Sequence, residues 1–219
     1  MGREINLMSD YPKSIRNLTQ RLEEKTLENK EVAQKFGKDF FDGERKYGYG
    51  GFYYNSKFWE PVIPSFQKRY ELSKNSSILD IGCAKGFMLY DFQRHIPGIS
   101  IQGIDISTYA IENAKEEVKS QLQVANAINL PFEDNTFDLV ISISTLHNLE
   151  KVDMKQAIKE IMRVTKKDAF ITLDAYRNED EKYNMDAWNL TAKTVMNVEH
   201  WKLFFEESDY NGDYYWFIP

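Results

Sequence analysis

Asp80, Gly82, Ala84 and Gly86 stand at every second position directly after the apolar run Ile78-Leu79, with Ile81 among them. The run reads as a buried parallel strand, and an apolar helical pattern starts at Phe87. A strand, a turn of very small residues and a helix make a corner where backbone can approach a nucleotide. Asp105 ends a second run, Ile99–Ile104, and an acid at that place can accept both hydrogen bonds of a ribose diol. Its other reading, a helix cap, fits Ser107 better. A dinucleotide fingerprint needs a third glycine where Phe87 stands, and no Gly-Lys-Ser/Thr phosphate loop is present. The corner therefore matches neither the dinucleotide fingerprint nor the phosphate loop.

A second set of reactive side chains follows two later strands. Thr145-Leu146-His147-Asn148 comes directly after the strand around Asp138–Ile143. His147 has the ordinary pKa, about 6.5, of a general base, and packing is the competing reading. Arg177 follows the strand Ala169–Leu173, and its planar fork suits a carboxylate or phosphate; a surface ion pair is the alternative. Asp174 and the run Glu179-Asp180-Glu181 read as a solvated loop and not as a metal site. Cys83, the only cysteine, excludes an intrachain disulfide and reads as a small buried residue, not a nucleophile.

Asp80-x-Gly82-x-Ala84-x-Gly86 resembles motif I of the class I S-adenosylmethionine-dependent methyltransferases, with Ala84 where a glycine is common. Phe137-Asp138-Leu139-Val140 resembles the entry to that family's fourth strand, and the likeness runs over about residues 72–175. The resemblance implies S-adenosylmethionine as cofactor, leaving as S-adenosylhomocysteine. It implies Asp80 near the methionine ammonium, with Gly82, Cys83, Ala84 and Gly86 around that end and Asp105 and Ile106 at the ribose. Asn126, Ala127 and Ile128 would wrap the adenine, with Ser144 and Tyr47 also against the cofactor. For Asn126, a turn residue bonding its own backbone is the alternative.

These residues need a doubly wound, Rossmann-like, mostly parallel α/β sheet to position them. Six strands are legible; a seventh, and the antiparallel hairpin usual in the family, is not. Residues 1–71 read as an N-terminal helical extension with an aromatic lid, and 72–219 as the core with a helical insertion at about 180–198. Within the extension, 12–36 reads as helical through Ile15, Leu18, Leu22, Leu27, Val32 and Phe36. Tyr47, Tyr49, Phe52, Tyr53 and Tyr54 lie among Gly43, Gly48, Gly50 and Gly51, giving a pliable, sticky segment suited to closing over a site. Tyr47, Tyr49 and Tyr53 are its expected contacts; packing on the core, with a homodimer contact, is the alternative. Trp188, Asn189 and Thr191 fall in the insertion, which the resemblance links to acceptor choice. Asp153 is the expected cap of the helix before the fifth strand.

The chain has 219 residues, 42% of them hydrophobic, enough for one α/β domain with elaborations. Its net charge of −6, with the signs interspersed, argues against a surface that coats nucleic acid. No apolar run reaches membrane-spanning length and no secretory stretch opens the chain, so a soluble cytoplasmic protein is the default expectation. Together these readings point to methyl transfer onto an oxygen or nitrogen of a small metabolite or sugar-type intermediate, with His147 as candidate base and Tyr49 and Arg177 as candidate acceptor contacts. A protein or RNA methyltransferase, and a cofactor-binding protein without turnover, are the alternatives. No Asn/Asp-Pro-Pro-Tyr/Phe-like tetrapeptide follows the fourth strand, which weighs against amino-group enzymes of nucleic acids.

Overall fold

The computed structural model describes residues 2–13, 17–50 and 53–219. Ile15, Gly51 and Phe52, included in the sequence expectations above, lie outside them. Seven strands form one sheet: β1 Ser77–Ile81, β2 Ser100–Asp105, β3 Leu122–Val124, β4 Phe137–Ile143, β5 Thr165–Tyr176, β6 Met196–Asn197 and β7 Asp213–Phe217. The order is β3-β2-β1-β4-β5-β6, with β7 also on β5. All pairings are parallel. The strand order reverses between β1 and β4, which puts the switch point of the sheet beside the Gly82–Gly86 turn.

The strand hidden from sequence reading is β6. It has two residues and precedes the helix Val198–Glu207, whereas β7 follows that helix and runs parallel to β5. No hairpin closes the sheet among the described residues. β5, twelve residues long, carries β7 along Phe170–Asp174 and β6 at Ala175–Tyr176, end to end on one edge. The free side of β7 is covered by the N-terminal segment: the Ile5 amide donates to the Tyr214 carbonyl (2.9 Å) and the Tyr214 amide to the Arg3 carbonyl (3.0 Å). Covering an exposed strand edge removes a template for aggregation.

Alternation of apolar residues feeds two cores, one on each face of the sheet. One packs the helices Lys151–Val164 and Val198–Glu207 through Ile158, Ile161, Trp201 and Phe205. The other packs Ile63–Arg69 and Phe87–His95 through Ile63, Phe66, Leu89 and Phe92. Asp138 lies at the start of β4, accepts from the Ser77 amide (2.9 Å) and pairs with Lys167 (3.0 Å), well away from the switch point.

The extension is more broken than its periodicity predicts. Helices Leu18–Glu24 and Leu27–Ala33 are separated because Thr26 caps a new start, accepting from the Asn29 amide. Phe36 takes a left-handed backbone (φ 49°), and Leu22 and Leu27 face solvent instead of a core. Asn113 likewise splits the helix after β2 into Thr108–Glu112 and Glu116–Lys119. The helix after β4 begins at Lys151 with Glu150 at the cap position, so Asp153 sits in the first turn and is not the cap. The insertion is helical over Glu179–Trp188, a shorter stretch than expected, and Asn178 starts the helix by accepting from the Glu181 amide.

Candidate functional site

At the switch point the small residues do specific work. Gly82 (φ +82°) and Gly86 (φ +75°) hold left-handed backbone that L side chains rarely adopt. A Cβ at Gly82 would lie 2.1 Å from Thr145 Oγ1, so this glycine also lets the loop after β4 close onto the turn. Ala84 shares the left-handed conformation (φ 49°). The turn is tied back to β2: the Gly82 and Cys83 amides both donate to the Ile104 carbonyl, at 2.8 and 3.0 Å.

Two carboxyl groups converge on this turn. Asp105, buried at the end of β2, accepts from the Ala84 amide through Oδ2 (2.9 Å) and from the Ser107 amide through Oδ1 (2.8 Å). Each oxygen keeps a further lone pair. Burial pushes its carboxyl up, while those amides oppose the shift. Asp80, at the end of β1, is also buried, and its carboxylate has no hydrogen-bond partner among the described residues. Burial first, and the charge of Asp105 second, push Asp80 up to about 8. A largely buried carboxyl beside a like charge is a costly feature that a cationic ligand group would relieve. Burial raises the Cys83 thiol well above its ordinary value, which leaves it protonated, as expected of a packing residue.

Ile106 is exposed beside Asp105, and Ala127 and Ile128 are partly buried against the core. Asn126 takes the turn conformation that was its alternative reading, its Oδ1 accepting from the Ile128 amide (3.2 Å). This segment is held from behind by a pair that sequence reading missed. Glu160 accepts from the Leu130 amide (2.8 Å), and Arg163 donates to the Leu130 and Phe132 carbonyls and to Glu160 (2.7 Å). The i,i+3 spacing of Glu160 and Arg163 on one helix was the available signal. Lys85 was also missed. Although buried, it pairs with Asp42 (2.5 Å), which accepts from Tyr109 as well (2.7 Å). With the Ser107 hydroxyl donating to the Phe36 carbonyl, this pair fastens the extension onto the switch point.

The ends of β4 and β5 form the second part. Ser144 has a left-handed backbone, and its amide donates to Thr172 Oγ1 (2.8 Å). The ring of His147 is buried, and its Nδ1 accepts from the Asp174 amide (3.0 Å). An imidazole that accepts at Nδ1 carries its proton on Nε2. Burial pulls its pKa down to about 3, so the ring is neutral over the working range. With one nitrogen accepting and the other protonated, no lone pair remains for a substrate proton. The His147 carbonyl accepts from the Lys193 and Thr194 amides (2.9 and 3.0 Å), so this residue joins β4, β5 and the insertion.

Tyr49 ties the extension to the same insertion. Its hydroxyl accepts from the Leu190 amide (2.7 Å) and the Thr191 amide (3.2 Å), and its ring lies 5.5 Å from that of Trp188. The Arg21 guanidinium rests over both rings, 5.3 and 5.1 Å from their centroids. Two other tyrosines of the segment make different contacts. Tyr53 is 81% exposed and its neighbour Tyr54 makes the anchoring contact, donating to Asp91 (2.6 Å). Tyr47 is half-buried with the Lys46 ammonium 4.9 Å from its ring centroid. Arg177 does not join the site. It is exposed and bonded to Glu181 in the first turn of the helix that follows it, because the acids at that helix start offer it a local partner.

Residues 79–173 match the family profile described as a methyltransferase domain. This central part of the chain is therefore similar to methyltransferase domains. The sheet and switch point agree with that, and solved structures share the architecture: the MccD protein superposes with TM-score 0.55 at 29% identity, over 66% of this chain and 68% of that one. Among curated relatives, a tRNA (carboxymethyluridine(34)-5-O)-methyltransferase of Arabidopsis thaliana is 33% identical over 64% of this chain and 33% of its own length. A norajmaline N-methyltransferase of Rauvolfia serpentina is 31% identical over 56% of this chain and 44% of its own. The chain thus spans less than two thirds of the length of these curated relatives. That family implies S-adenosylmethionine as methyl donor, and the donor set of the core fits it: a carboxyl at Asp80 with no hydrogen bond from the described residues for an ammonium, spare lone pairs on Asp105 for a diol. No helix among the described residues is long and apolar enough to cross a membrane.

Proposed function

We propose that the protein is an S-adenosylmethionine-dependent methyltransferase acting on an oxygen or nitrogen of a small molecule. When bound, the donor supplies a methyl group on a positively charged sulfur, already activated for displacement. Asp80 holds the ammonium end, Asp105 the ribose diol, and the segment Asn126–Ile128 the adenine. The protein's remaining work is alignment of the acceptor and exclusion of water. The observation that carries the small-molecule reading is the Tyr49 clasp. It draws the extension and the insertion together beside the β4 and β5 ends, which suits an enclosed acceptor better than an open polymer track.

In this reading His147 is a positioning residue. Its neutral ring holds the Asp174 amide and its carbonyl holds the insertion. The acceptor nucleophile then loses its proton to solvent or is neutral before it attacks. The test is incubation with donor labelled in the methyl group and a fractionated metabolite pool, followed by identification of the labelled product. Label in a small molecule supports the proposal; label only in RNA or protein, or in nothing while donor binds, overturns it.

A second reading, an RNA acceptor, follows the named activity of the Arabidopsis relative. The net charge of −6 weighs against it.

A further inference from the structure

Beside the acceptor end lies a groove that none of the residues above explains. It has two adjoining parts, of about 530 and 390 Å³, which share Lys151, Val152, Val195 and Met196. Its walls are the first turns of the helix Lys151–Val164 and the helix Val198–Glu207. Its rim includes Lys193 and Thr194, the residues whose amides bond the His147 carbonyl, so the groove opens next to the turn that closes β4. Both parts open widely to solvent, so this is a surface groove and not an enclosed cavity.

Its chemistry is two-sided. Leu203, Phe204, Val195 and Met196 give it apolar lining, and Val152 and Leu203 stand 82% and 54% exposed at its edges. Val152 and Leu203 thus add exposed apolar surface beside the apolar lining. Lys151, Lys155 and Lys193 surround it, and none of the three forms an ion pair among the described residues. Glu150 and Glu207 also line it, so the cations outnumber the acids even without His200. A local excess of free cations over an apolar lining, in a chain of net charge −6, is complementary to an apolar body with an acidic end. A phosphodiester strand would use the cations but not the apolar lining.

We propose that this groove binds an amphiphilic anion, an apolar body bearing a carboxylate or a phosphate, and that the methyl acceptor is a molecule of this class. The second clause deepens the methyltransferase reading and rests on it; the binding site itself does not. The lysines hold the acidic end and Val152, Leu203 and Phe204 cover the apolar body.

The experiment is a titration of the isotopically labelled protein, followed by nuclear magnetic resonance. The probes are decanoate, decyl phosphate, decanol and decyltrimethylammonium, each below its micelle concentration. Saturable shifts at the Val152 and Leu203 methyls with one or both anions are expected, and which anion binds tighter tells carboxylate from phosphate. Decanol and the cation should bind at least tenfold more weakly. K151E/K155E/K193E should weaken anion binding at least tenfold, and Leu203→Gln several-fold. Donor affinity, measured by calorimetry on the same samples, should be unchanged and doubles as the folding control. Equal binding of decanol or the cation, shifts away from the groove, an RNA oligonucleotide that displaces the anions, or indifference to K151E/K155E/K193E overturns the groove proposal. Absence of donor binding in the unaltered protein would instead strike the methyltransferase reading and leave the groove result standing.

Discussion

At the ends of β1 and β2 the turn Gly82–Gly86 is held by its own and neighbouring amides, and its two acids sit within one short βαβ unit. At the ends of β4 and β5 the equivalent work is done by partners far apart in the chain: His147 with Asp174, Lys193 and Thr194, and Tyr49 with Leu190 and Thr191. The first arrangement is coded mostly within one contiguous stretch, although Thr145 against Gly82 and Asp42 on Lys85 reach it from elsewhere. The second exists only when the extension, the loop after β4 and the insertion are all in place. A fixed donor with a variable acceptor calls for this division: the constant part is coded locally and the variable part is assembled from separable segments.

The two titrating groups of these regions also differ in sign. Asp80 is raised and His147 is lowered, each mainly by burial.

The sharpest way to break the comparison is Asp105→Ala. It removes the acceptor of the Ala84 and Ser107 amides and the candidate ribose partner together. Donor affinity should fall on the order of 10- to 100-fold by calorimetry, from the loss of charged hydrogen bonds. Unchanged affinity would remove the ribose assignment.

His147→Asn tests the acceptor end. A positioning role predicts a fall in turnover of about tenfold, with donor affinity intact and the pH–rate profile unmoved above about pH 5, whereas a general base predicts about 100- to 10,000-fold and a lost titration. The same variant has a stability signature. With the folded pKa near 3, below the ordinary value, the unfolded chain takes up the proton first. Stability present above about pH 6.5 should be lost as pH falls toward 3, and the variant should lack that contribution in thermal unfolding across pH.

Asp80 gives the opposite slope. Its carboxyl, raised to about 8, is protonated in the free protein at neutral pH, and a cation favours its ionised form. Donor affinity should therefore rise with pH up to about 8, by at most about tenfold per unit, and Asp80→Asn should flatten the dependence. Its stability contribution is present at low pH and lost as pH rises through 8. The smallest effect belongs to Arg177→Ala: less than about twofold on turnover, since an exposed ion pair contributes little.

How much the sequence disclosed follows the same division. The switch-point corner was legible because its strand, small residues, helix and acids are contiguous, and the distinction from a dinucleotide fold rested on one position, Phe87. The cap of Ser107 was legible for the same reason. β6 was not, since two residues carry no periodicity. Nor was the choice between Tyr53 and Tyr54, or the neutral state of His147, because these depend on what folds over each ring. Arg177 misled because a fork at a strand end reads the same whether its carboxylate partner is a ligand or the next helix turn.

The uniformly parallel sheet has a kinetic consequence. Each strand reaches its neighbour only through a crossover, and β4 pairs with β1 across the whole β2–β3 excursion. No adjacent pair can zip from a tight turn, so the ordering cost of long loops comes before any ladder returns enthalpy. Renaturation from denaturant should accordingly be slow for a chain of this size, with unpaired strand edges open to association while it proceeds.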